Sequence, residues 1–270
     1  MSGVSDAPEL TPAWRTWGRL VAAIAAVSFA LTAFLTLLDS LSLTAPALSF
    51  PAGAELPDRI LIILQNQADR FPVIFVSSLL AIVAYSALAA LGPVLRRALG
   101  GVGVPRGTVL VAGFAIAGAI GVIGELLYIG GLAIASDPTY CECAFRDAQL
   151  IARGGVLDVV TSMQSWMTWG LVSFFGIGLF AAASLCAATR LAPRGWSLLS
   201  RALAALLVLV AVLGAGFPPL AHSMGWDVDP NLVVGAPSLV ILLILLPWWA
   251  LWLRAWLGHA APPEAEPAAS

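Results

Sequence analysis

The 270-residue chain contains no lysine; all 13 of its basic residues are arginine. It therefore has no glycine-rich phosphate loop ending in lysine, which argues against ATP hydrolysis. The His-Glu-x-x-His, Gly-x-Ser-x-Gly and dinucleotide-binding patterns are missing too, and with them the common soluble catalytic classes. Charge is sparse, at 10% of residues with a net charge of -2, and no basic cluster is interleaved with aromatics as a phosphate backbone would require. Nucleic acid is not an expected partner. With three cysteines and two histidines, the chain also lacks the paired ligands, spaced by two to four residues, of a structural zinc site. No metal and no cofactor are expected.

Apolar residues take the place of charge: 60% are hydrophobic and the mean hydropathy is +0.94. A soluble core of this size needs far less, and several runs are long enough to cross a bilayer. Read against the roughly 20 residues of a spanning helix, they predict six spans near 18–38, 71–92, 108–135, 156–189, 198–221 and 234–256. The expected fold is all-α, a polytopic integral membrane helical bundle of six transmembrane helices. It forms one domain over 1–259, followed by a disordered polar tail at 260–270 that holds Pro262, Pro263, Glu264, Glu266 and Pro267.

The first run follows Arg15 and Arg19 and precedes a cleavage-like Ala45-Pro46-Ala47, as in a signal peptide. Its apolar stretch, Leu20 to Leu38, is longer than the roughly 7 to 15 residues of such a core, so a retained anchor is expected. Nine arginines fall on one side of the predicted spans: Arg15, Arg19, Arg96, Arg97, Arg106, Arg190, Arg194, Arg201 and Arg254. Four fall on the other, and the asymmetry predicts both termini on the cytoplasmic side. Trp14, Trp17, Trp196, Trp248, Trp249, Trp252 and Trp256 read as an aromatic belt at that interface. On the opposite side, the segment from Asp58 to Arg70 reads as an outward extension of the second span in preference to a separate amphipathic surface helix. The two halves share no residue-level similarity that would mark an inverted repeat.

Glu125 is the one acid deep within an apolar span, and an ionisable group at such depth points to function before anything else in the chain. Gly121, Glu125 and Tyr128 share a helix face, and Gly118, Gly121 and Gly124 let neighbouring helices approach it. The fourth span returns from the same external loop with a polar stripe of Asp158, Thr161, Ser165 and Thr168. Counting inward from that loop sets Gln164, Ser165 and Thr168 level with Glu125. His222, at the outer end of the fifth span, joins the ligand-binding candidates, which are thus Glu125, Tyr128, Asp158, Gln164, Ser165, Thr168 and His222. The bland reading of Glu125, a carboxyl hydrogen-bonded only to fix helix packing, stands beside the functional one.

Cys141 and Cys143 form a redox pair candidate in the external loop, where a strained disulfide, an intermolecular bridge and free thiols all remain open. Cys186 has the bilayer between itself and the others and reads as a small packed hydrophobe.

From Phe175 to Trp256 a span ends in Ala188-Thr189-Arg190-Leu191 and is followed by an Ala192-Pro193-Arg194-Gly195-Trp196 turn, a further apolar span and a Trp-rich last helix. This third of the chain resembles small bacterial six-span membrane proteins of unknown function, the type labelled DUF4386-like. The resemblance implies a six-span protein of the bacterial inner membrane, and it transfers no activity and no residue role.

Three functional expectations follow. The first is binding or transport of a small molecule or lipid through an outward-facing polar pocket around Glu125. The second is a membrane-embedded enzyme acting on an isoprenoid or lipid, with Glu125 as general acid and Trp166 and Trp169 shaping the pocket. The third is an accessory or immunity-type subunit that docks a partner through its external loop.

Overall fold

The computed structural model describes residues 10–135, 137, 145–225 and 240–259 and folds them into six helices. These are α1 (Pro12–Ser40), α2 (Leu56–Ala98), α3 (Pro105–Ala135), α4 (Arg146–Thr189), α5 (Arg194–Ser223) and α6 (Leu246–His259). A π-helical turn, Ile241–Leu245, leads into α6. Pro247 accounts for it: its nitrogen has no hydrogen for the Leu243 carbonyl and its ring presses on that carbonyl, so the turn before it widens. The fold is all-α as expected, and among the described residues five helices, α1 to α5, are long and apolar enough to cross a membrane. The sixth expected span is described only from residue 240 onward, where 14 residues are α-helical.

Helix ends follow local chemistry. Thr11 accepts from the Trp14 amide and Pro12 opens α1, while α4 stops at Arg190, whose left-handed backbone (φ 57°) lets its amide reach the Cys186 carbonyl. Along α1, Leu20, Ile24, Val27, Leu31 and Phe34 are exposed at helical spacing, whereas Val21, Ala22, Ala25, Phe29 and Ala33 are buried. A water-facing helix would not carry such a stripe; it is the face a helix shows to lipid.

Consecutive helices pack on one another in chain order, and α6 closes back on α1. Small residues set the spacing. A Cβ on Gly113 would stand 2.8 Å from Gly178 Cα, so α3 and α4 cross backbone to backbone. The main core lies toward the arginine-rich end, where Trp249 stacks on Trp196 at 5.5 Å, meets Phe175 edge-on at 6.3 Å and donates to the Ser200 hydroxyl at 2.9 Å. Trp196 was expected in an interfacial belt. Instead it begins α5 fully buried, as is Trp249, because the turn after Arg190 folds its ring back under α6.

At 43 and 44 residues, α2 and α4 extend for about 65 Å each, roughly twice the hydrocarbon thickness of a bilayer. The segment from Asp58 to Arg70 is therefore continuous with α2, running through Pro72 without a break. Beyond the main core the distal halves of α2, α3 and α4 form a second cluster of Leu64, Leu132, Leu150 and Leu157, backed by Ile60, Phe71 and Tyr128. An Asp58–Arg146 ion pair at 3.9 Å joins α2 to α4 there.

Candidate functional site

Glu125 lies half-buried on α3 where that helix meets α2 and α4. The seam closes tightly there because of two glycines. A Cβ on Gly118 would stand 2.7 Å from the Tyr85 carbonyl oxygen, and one on Gly121 would stand 2.5 Å from the Tyr85 ring. The buried Ser78, on α2, is placed to hydrogen-bond the Glu125 carboxyl, and Tyr85 and Tyr128 lie within electrostatic reach of it. On the α4 side, Gln164 and Thr168 line a cavity with Glu125, Tyr85, Gly121 and Met167. Its volume is about 10 Å³. That is room for a single water, which needs roughly 10 to 15 Å³, and not for a small molecule or a lipid.

A second polar group lies further toward the end opposite the arginine cluster. Asp39, in the last turn of α1, pairs with Arg70 of α2 at 3.3 Å and accepts from the Thr44 hydroxyl at 2.5 Å. Both members of the pair are about one-fifth exposed. Tyr128 stands between the two groups, within electrostatic reach of Asp39, Arg70 and Glu125. Gln67 Oε1 and Arg70 Nε are buried with no hydrogen-bond partner among the described residues, so this second group holds unspent donor and acceptor capacity. Asp39–Arg70, Tyr128, Glu125–Ser78 and Gln164–Thr168 are thus polar groups set among apolar residues of α1 to α4, with Tyr128 within electrostatic reach of both Asp39–Arg70 and Glu125.

The structure brings together Glu125, Tyr128, Gln164 and Thr168 of the residues singled out from sequence. Asp158 and Ser165 are not at that site; both are exposed on α4. The hydroxyls of the α4 stripe are used within the helix: Thr161 donates to Leu157 O, Ser165 to Thr161 O and Thr168 to Gln164 O, each at 2.9 to 3.0 Å. His222 falls in the last turn of α5, with its side chain outside the described part, and Cys141, Cys143 and the tail at 260–270 lie outside the described residues. Cys186 is buried and free. Trp166 and Trp169 meet edge-on at 4.9 Å, but neither lines the Glu125 cavity.

Sequence reasoning missed Ser78, Tyr85, Asp39 and Arg70. Ser78 and Tyr85 are seven apart on α2 and share a face, which is the signal that was available. Asp39 and Arg70 carry none, since they come from two helices 31 residues apart. No family model, no curated protein and no solved structure matches this chain.

Proposed function

We propose that this is a multi-pass membrane protein that binds or transports a small molecule or lipid, and that Glu125 serves it as an interior proton-binding group. The observation that carries the role of Glu125 is the water-sized cavity, which has room for a water and for no ligand: Glu125 shares it with Gln164 and Thr168 and has Ser78 at its carboxyl. An acid facing a bundle interior, with one water's room and further polar groups toward one end, suits proton exchange. It does not suit general-acid chemistry on an isoprenoid, which needs substrate-sized space beside the carboxyl. The Asp39–Arg70 pair and Tyr128 are those further groups.

The orientation belongs to the same proposal. The nine-to-four arginine asymmetry supports a bacterial inner-membrane location with the arginine-rich end, and both termini, in the cytoplasm. The Asp39–Arg70 pair then lies on the outward side of Glu125, away from the cytoplasm.

Infrared difference spectroscopy across a pH titration, on protein in lipid nanodiscs, tests the role of Glu125. The wild type is expected to show a protonated-carboxyl C=O band that Glu125→Gln lacks. Identical difference spectra from the two proteins would reject a proton-binding role.

A further inference from the structure

A far larger cavity than the one at Glu125 lies elsewhere among the described residues, at the arginine-rich end, and nothing above assigns it. It is a groove of about 800 Å³ on the outside of the bundle, within the roughly 300 to 1,000 Å³ range of ligand sites. Its origin is topological. Both α3 and α5 pack on α4 without a substantial interface between themselves, so α4 becomes the floor of a trough. Small residues keep that floor low: Gly176 and Ala181 on α4, with Ala204 beside them on α5. The walls are apolar and open to the surroundings, with Val109, Ile177, Phe180, Val208, Leu209 and Val212 all exposed.

One end of the groove is charged and the rest is not. Arg106, at the start of α3, and Arg201, on α5, stand at its mouth. Arg201 also lines an adjoining cavity of about 530 Å³ with Arg190 and Arg194. None of these four arginines forms an ion pair with a described residue. The helices that carry them are also free of acids for long stretches, with no Asp or Glu from 71 to 124 or from 159 to 226. From Arg201 to Val212 the groove runs eleven residues along α5, about 16 Å, which is the depth of one leaflet of a hydrocarbon core about 30 Å thick.

We propose that this groove is a binding site for an anionic glycerophospholipid of the leaflet at the arginine-rich end. The phosphate of the headgroup sits between Arg106 and Arg201, with Arg190 and Arg194 completing the positive field. One acyl chain lies along the floor at Gly176 and Ala204. Unpaired guanidinium groups above a leaflet-deep apolar trough match that amphiphile in both charge and length. A zwitterionic lipid fills the trough but brings its own cation to the arginines, and a second protein copy meeting the groove through its own groove face would bring arginines to arginines. The proposal is independent of Glu125.

Native mass spectrometry of the purified full chain with added phosphatidylglycerol or phosphatidylcholine of matched acyl chains reads the site. The wild type is expected to retain phosphatidylglycerol preferentially. Arg106→Gln/Arg201→Gln should weaken that retention by about thirtyfold, each arginine near a lipid surface contributing roughly fivefold. Ala205→Trp, which fills the trough from an exposed position, should reduce retention of both lipids. Arg19→Gln/Arg254→Gln removes the same charge at a separate surface and should leave the preference in place. Gel filtration of each variant confirms that it is folded. Equal retention of the two lipids by the wild type would overturn the proposal. So would an equal loss in the Arg19/Arg254 control, or a protein dimer seated at the groove that persists at saturating lipid.

Discussion

A single hydroxyl, that of Ser78, is placed against the Glu125 carboxyl in the helix seam, so Ser78→Ala tests the site with one atom. We expect it to lower stability by about 1 to 2 kcal/mol through the lost hydrogen bond, measured by thermal unfolding in detergent, and to move the Glu125 carboxyl band. A band at the wild-type position would separate Ser78 from the carboxyl. At the second group, Asp39→Asn and Arg70→Met each leave a partly buried charge without its partner. Each should cost roughly 1 to 3 kcal/mol, below the range for fully buried pairs because one-fifth of each side chain meets solvent. The double variant should cost less than the sum of the two, and strict additivity would show that the pair is uncoupled. Glu125 was legible in the sequence because an acid in an apolar run stands out by itself. Ser78 was not, because Ser77 and Ser86 lie on the same helix and only the packing against α3 decides which hydroxyl faces inward.

The helices differ in how closely they approach, and the glycines report it. Gly113→Ala puts a methyl 2.8 Å from the α4 backbone at Gly178, where nothing flexible can yield, and should destabilise the protein by about 1 to 3 kcal/mol. Gly124→Ala meets only Met167 at 3.5 Å, an ordinary contact, and should be tolerated. Equal melting temperatures for the two variants would mean that α3 and α4 are further apart than described. The apolar runs gave the positions of α1 to α5 but not the lengths of α2 and α4. Hydropathy detects where lipid begins, whereas the distal halves of these helices carry Asp58, Arg70, Arg153 and Asp158 among apolar residues and pack on one another beyond that point. Trp196 misled for the opposite reason: tryptophan beside arginine is the pattern of an interface, yet the stack on Trp249 draws this ring into the core.

Over the whole molecule, the two ends differ in charge and construction, with Arg106, Arg190, Arg194 and Arg201, which form no ion pair with a described residue, at one and the joined distal halves of α2, α3 and α4 at the other. Impermeant maleimide applied to intact cells should label Gln65→Cys, exposed on distal α2, and should leave Leu198→Cys, exposed on α5 near the arginines, unlabelled. The native cysteines are replaced in both variants, and the reverse labelling pattern would invert the proposed orientation. The position of Glu125 in the membrane interior is the claim on which the functional reading depends. Its most direct measurement compares an apolar with a water-soluble carbodiimide on native membranes, with adducts mapped by mass spectrometry. The account predicts modification of Glu125 by the apolar reagent alone, while the exposed Asp158 reacts with the water-soluble one. Modification of Glu125 by the water-soluble reagent to the same extent as Asp158 would contradict it.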